Sequence, residues 1–156
     1  MQYDFESMGI SVIPCMGKTN LDRPAAIFRN LQIPVYVIWD SDYESGDRRP
    51  EVNRRLLRLF DKPVEDWPEK VTEQFACFKR TLGDTLCAEI GSELFNRLLE
   101  ACCRRLSLKK KYIIKNPQII QEIIREAYKQ GKTSTTLEKI IFQIIALKKI
   151  KHQMKK

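Results

Sequence analysis

The chain has 156 residues, of which 43% are hydrophobic and 31% charged, a balance that suits one globular domain with a real core and excludes a disordered polymer. No apolar stretch is long enough to cross a bilayer, and the opening MQYDFES is acidic and polar, unlike a secretory leader. The formal net charge is +8, with much of the excess late, in RRLSLKKKYIIK (104–115) and LKKIKHQMKK (147–156), so polyanions are the expected partners and membranes are not.

Residues 9–15, GISVIPC, read as a first strand, and GKTN (17–20) as a turn. A helix follows, with Asn20 or Asp22 as its cap, Pro24 in its first turn, and Ala25, Ala26, Phe28 and Leu31 as its apolar face. Ile33–Trp39 is the second strand, which completes a βαβ unit with parallel strands. A polar loop, DSDYESGDRRPE, leads to an amphipathic helix over Val52–Phe60, a surface connection over 61–70, and a third strand over Glu73–Phe78. From Leu82 to about Leu106 the apolar residues recur at helical spacing. Pro117 starts another helix that Gly131 ends, and Thr135 or Thr136 caps the last one. The pattern predicts an α/β fold with a parallel sheet core over 9–106 and an all-helical C-terminal extension, 107–156, packed on it.

Five cysteines (Cys15, Cys77, Cys87, Cys102 and Cys103) occur without a CxxC pair, and there is one His. A zinc site of the usual spacing is not expected, and a reducing, cytoplasmic compartment is.

The chemistry concentrates in IPVYVIWDSD, residues 33–42. An apolar run, Val35 to Trp39, passes straight into Asp40 and Asp42. Buried carboxylates are costly unless paired or metal-bound, so these two belong at the strand's carboxyl end, where open α/β sheets place their ligands. Residues i and i+2 of a strand face one side; the pair can share a divalent cation with Ser41 turned away. Plain turn chemistry also ends strands in Asp and Ser, and that reading stays open. GKT at 17–19 is not a nucleotide phosphate loop, because the glycine that motif needs upstream is Val12. Gly17 and Lys18 remain candidates to touch a single phosphate near the helix start.

GISVIPCMGKTNLDRPAAIFRNLQIPVYVIWDSD resembles the TOPRIM domain of OLD-family (overcoming lysogenisation defect) ATP-dependent endonucleases. The likeness continues more weakly through CAEIG (87–91) and KNPQIIQEII (115–124). It implies a TOPRIM-like fold, Mg²⁺ or Mn²⁺ on Asp40 and Asp42, and hydrolysis of DNA in a genome-defence or DNA-processing role. It also implies a catalytic lysine, for which Lys115 is the closest match and Lys111 the next, and a second metal served by Asp84 or Glu89. The family's glutamate-bearing first strand has no counterpart here, since Glu6 follows no apolar run and leaves no room for a helix before Gly9. The resemblance therefore implies an upstream region or ATPase partner, or a homo-oligomer, to complete the sheet: the chain would be a fragment, a degraded copy or a subunit. Lys109, Lys110 and Lys111 are the expected nucleic-acid contacts.

Two other functions fit the sequence. One is a non-catalytic nucleic-acid-binding or assembly module that keeps the fold. The other, weaker, is a small phosphotransfer enzyme with Asp40 as nucleophile; that class usually carries its DxD on the first strand, and a full βα unit precedes it here.

Overall fold

The computed structural model describes residues 4–44, 49–107 and 116–153, and beyond residue 147 only the backbone of the last helix. Its sheet is built from β1 (Val37–Asp40), β2 (Lys70–Val71) and β3 (Phe75–Phe78), in the order β1-β3-β2. β1 and β3 run parallel, with Val37 opposite Phe75 and Asp40 opposite Phe78. β2 runs antiparallel to β3. The α/β class is as predicted, but the sheet is small and mixed rather than all parallel. β2 exists because Thr72 closes a tight hairpin: its Oγ1 accepts from the N–H groups of Gln74 and Phe75, and its own N–H reaches the Phe75 carbonyl.

The predicted first strand, 9–15, is irregular. A strand needs a neighbour for its N–H and C=O groups, and no ladder reaches this segment from the described residues. Val12 is 78% exposed. The unit is thus helix–strand–helix–strand instead of βαβ from residue 9. The second strand also begins later than expected. Pro34 has no N–H to donate, and pairing starts where the Val37 N–H meets the Gln74 carbonyl.

α1 (Asp22–Asn30) and α2 (Pro50–Leu59) lie on one face of the sheet. Strand alternation explains the faces. Val37, Trp39, Phe75 and Cys77 point to α1 and α2 and form one core with Ala25, Val52, Leu56, Leu57 and Phe60. Ala76 and Phe78 point the other way, against Ile140. Trp39 and Phe60 both pack on Phe75, with ring centroids 5.0 and 5.2 Å away. Neither Asn20 nor Asp22 caps α1: Asn20 donates to the Cys15 carbonyl and Asp22 pairs with Arg55.

The helical part contains α3 (Leu82–Ile90), α4 (Ser92–Leu106), α5 (Pro117–Lys129) and α6 (Thr135–Gln153). The single run expected over 82–106 is broken at Gly91, whose φ of 100° only glycine adopts without strain. Leu86, Ile90, Phe95, Leu99, Ile119, Ile123 and Ala127 make a second core between α3, α4 and α5. α5 starts as expected, with Pro117 in its first turn and the Asn116 side chain accepting from Gln118 and Ile119. Gly131, at φ 71°, turns the chain after it. The cap of α6 is Ser134, whose Oγ accepts from the Leu137 N–H, rather than Thr135 or Thr136.

Candidate active site at the carboxyl end of the parallel pair

β1 and β3 end side by side, and the chain leaving β1 stays tied to β3. The Ser41 N–H donates to the Phe78 carbonyl at 2.7 Å, and the Tyr43 N–H to that of Lys79 at 2.9 Å. Asp40 closes β1, and Asp42 follows with a left-handed φ of 61°. Ser41, between them, is fully buried, and its hydroxyl donates to the Pro68 carbonyl at 2.6 Å.

The Ser41 carbonyl is a hub. Asn53, buried on the apolar side of α2, donates to it at 3.0 Å and to the Asp66 carbonyl at 2.7 Å. Lys18 donates to the same carbonyl at 2.9 Å and pairs with the Asp42 carboxylate at 2.8 Å. The Lys18 side chain is 7% exposed, so it is an inward-held counter-charge and not a solvated turn lysine. Gly17 precedes it with an extended ψ and a φ of 121°, opening the single 3₁₀ turn Lys18–Asn20 that aims Lys18 at β1. Asn53 Oδ1 finds no donor among the described residues.

Asp40 sits differently. One carboxylate oxygen accepts from the Leu82 N–H at 3.1 Å, at the positive end of α3. Burial pushes its pKa up, the Leu82 N–H pulls it down, Asp42 and Asp84 push it up again, and Lys18 opposes them; the net direction is up. Asp40, Asp42, Asp84 and Lys18 therefore share one electrostatic neighbourhood. Asp84 is held there by a cap: its N–H donates to Thr81 Oγ1, and the Thr81 hydroxyl donates back to its carboxylate at 2.7 Å.

Glu89 lies at the opposite end of α3 and has other partners. Its carboxylate accepts from the hydroxyls of Ser134, Thr135 and Thr136 and from the Thr136 N–H, tying down the start of α6. Burial pushes its pKa up, but those hydrogen bonds outweigh it and hold the group below the ordinary glutamate range. Lys109, Lys110, Lys111 and Lys115 lie outside the described residues.

The donor set suits a hard cation. Asp40 and Asp42 offer carboxylate oxygens only, and Mg²⁺ commonly takes one or two carboxylates with water and substrate phosphate. Burial is the first cause of the raised Asp40, and the Asp42 and Asp84 charges add to it. Among the described residues no group of three or more His, Cys, Asp or Glu side chains gathers closely enough to cage an ion.

Sequence reasoning missed the Ser41–Asn53–Asp66–Pro68 network. One signal was available: Asn53 interrupts the apolar face formed by Val52, Leu56 and Leu57. The aromatic pair beside the site, Tyr43 and Trp67, with centroids 5.8 Å apart, carried no local signal, because only the fold joins the two segments.

No curated protein and no solved structure matches the chain. TOPRIM domains in general bind divalent metal ions, and an OLD-like one points to nucleic-acid interaction and a nucleotidyl-transfer or nuclease-type domain. Residues 1–42, which end on Asp42, match the family model described as Overcoming lysogenization defect protein-like, TOPRIM domain, and this match supports a TOPRIM domain of OLD-family proteins.

Proposed function

We propose that the chain is a metal-dependent DNA endonuclease domain or subunit in which Asp40 and Asp42 hold Mg²⁺ or Mn²⁺. The observation that carries this reading is the partly buried Asp40 carboxylate at the end of the parallel pair, within reach of the Asp42 and Asp84 charges. When bound, the ion supplies a polarised water and charge neutralisation for a phosphodiester. The protein's own part is positional. The Leu82 N–H fixes Asp40, and Lys18 fixes Asp42 while keeping the summed charge near the site from growing prohibitive. Asp84 adds negative charge for a second ion, whereas Glu89 serves the start of α6. Lys115 is proposed as the transition-state cation and Lys109, Lys110 and Lys111 as phosphate contacts, with Gly17 and Lys18 nearest an incoming phosphate.

Full activity in this reading needs one more strand from a partner or upstream region. Two features support that. β1 turns the N–H groups of Val37 and Ser41 to β3, so alternation turns the backbone of Ile38 to the outer edge. Beside that edge lies an apolar cavity of about 850 Å³, walled by Ile10, Val12, Phe28, Val35, Ile38 and Ile144.

The test is a nicking assay on supercoiled DNA with Mn²⁺, for the wild type and Asp40→Asn, alone and with the candidate partner. Cleavage that needs Asp40 is expected, and it should rise with the partner. Metal-independent cleavage, or cleavage indifferent to Asp40→Asn, would overturn the assignment. A non-catalytic nucleic-acid-binding module is the second reading. It is favoured by Lys18, whose ammonium already sits on Asp42 and the Ser41 carbonyl.

A further inference from the structure

Of the aromatic side chains that stand outside the three hydrophobic cores, Tyr43 and Trp67 pair with each other beside the acidic site. Tyr43 follows Asp42 directly, and its N–H is anchored to the Lys79 carbonyl. Trp67 is fixed from both sides. Before it, Asp66 is clamped through its carbonyl by Asn53 and through its carboxylate by both arms of the Arg54 guanidinium. After it, the Pro68 carbonyl accepts the buried Ser41 hydroxyl. The two rings meet edge to face, at 68°. The Lys79 ammonium lies 4.6 Å from the Tyr43 ring centroid and the residue is exposed.

Each ring is half-buried: its body is immobilised and part of its surface meets solvent. A pair that served only packing would join a core, as Trp39, Phe60 and Phe75 do. Here the rings instead offer an apolar ledge, with the Lys79 ammonium over the Tyr43 ring and the Trp67 ring beside it, next to carboxylates read as metal ligands. A nucleobase fits that combination. Its face stacks on an aromatic ring regardless of sequence, and the adjoining phosphate accepts the lysine. A base inside a continuous duplex is already stacked on both faces and cannot reach the ledge without being extruded.

We propose that Tyr43 and Trp67 form a stacking platform for an unpaired base beside the cleavage site, with Lys79 on its phosphate, so that the substrate is single-stranded or locally unpaired DNA. This rests on the reading of Asp40 and Asp42 as the centre of a DNA-processing site, and it adds the substrate class.

The experiment uses the full chain in EDTA, with end-labelled oligothymidylate and a duplex of the same length as probes; affinity is read by anisotropy of the label and stacking by intrinsic tryptophan fluorescence. Trp39 is 4% exposed, so quenching on binding reports Trp67. Oligothymidylate should quench and the duplex should not. Trp67→Ala should weaken oligothymidylate binding about tenfold. Trp67→Phe keeps a ring, and should retain most of the affinity while losing the signal. Lys79→Gln should lower the salt slope by about one. Equal binding of duplex and single strand, or undiminished affinity in a folded Trp67→Ala protein, would overturn the proposal. The two readings fail separately. Quenching without any Mn²⁺-dependent cleavage upholds the platform against the endonuclease, and cleavage with a silent Trp67 does the reverse.

Discussion

The two ends of α3 carry two carboxylates with opposite fates. At the first turn, Asp40 receives the Leu82 N–H and faces Asp42 and Asp84. In the last turn, Glu89 receives three hydroxyls and a backbone N–H. Burial raises both; only Glu89 has donors enough to reverse the direction. A carboxylate saturated with protein donors is a fastener and has little left for a ligand. Asp40, partly buried with one backbone donor and near like charges, keeps oxygens open to a ligand, and that is the difference between the two ends here.

The sharpest way to break this comparison is to remove Lys18. Its charge is the protein's own answer to the acids at the first end. Lys18→Met keeps the aliphatic stem, leaves Asp42 without its cation and leaves the Ser41 carbonyl with the Asn53 donor alone, at a cost of about 2 kcal/mol. Thermal unfolding with and without Mn²⁺ checks it. The expected fall in Tm should be partly restored by the ion, which binds only the folded site. A variant that loses stability but ignores Mn²⁺ would show the acids to be structural.

Glu89→Ala comes next. It strips the start of α6 of its external acceptor and should cost about 1–2 kcal/mol, with no response to Mn²⁺. Because the folded pKa is lowered, this contribution is present above the unfolded glutamate value of about 4.3 and is lost as pH falls through the lower, folded one. Denaturant melts of both proteins should converge in that acid range. A Glu89→Ala protein that lost Mn²⁺ binding would move Glu89 to the metal side of the comparison.

Asp40→Asn should go the other way. A raised folded pKa means that the protonated form is favoured on folding. The contribution is therefore present below the unfolded value and lost as pH rises through the folded one. At neutral pH the ionised group opposes folding, so the neutral amide, still able to accept from Leu82, should raise Tm by about 2 °C. The gain should vanish at acid pH, and Mn²⁺ should now stabilise the wild type more than the variant. A drop in Tm at neutral pH would mean that Asp40 is already compensated.

How much of this was legible in sequence follows the range of the interactions. The apolar run ending in Asp40 and Asp42 signals a strand that delivers acids to its carboxyl end, because strand propensity and turn chemistry are local. Pro117 and Gly131 punctuate helices for the same reason, whereas Pro50, read as part of the loop before Val52, opens α2. The pairing of Lys18 with Asp42, the buried Asn53 and the meeting of Tyr43 with Trp67 depend on segments that only the fold brings together. Glu89 enters as a metal candidate by resemblance alone, and its partners at 134–136 lie beyond any local window. GISVIPC has the composition of a strand, but composition cannot supply the neighbour a ladder requires, and among the described residues none pairs with it. Gly91 was readable: glycine before Ser92 and Glu93 is a local break that helical periodicity overrode.

The smallest effect is expected at the pair that looks strongest on paper. Arg105, in the last turn of α4, forks onto both oxygens of Glu122 on α5, at 2.7 and 2.6 Å. The fork raises the pKa of Arg105 and lowers that of Glu122, in each case first through the hydrogen bond between them. Both side chains are largely open to solvent, at 56% and 36% exposure. Water screens the charges, and ordering two long side chains offsets much of the attraction. The α4–α5 contact is carried instead by Leu99, Cys102, Ile119 and Ile123 beneath the pair. Arg105→Ala should leave Tm unchanged within error at moderate salt, whereas Leu99→Ala should cost about 3 kcal/mol. A clear loss in Arg105→Ala that disappears at high salt would mean that surface charge holds the helical region together. The contrast drawn at α3 would then have to be widened, because geometry alone, without burial, would suffice to make a carboxylate a fastener.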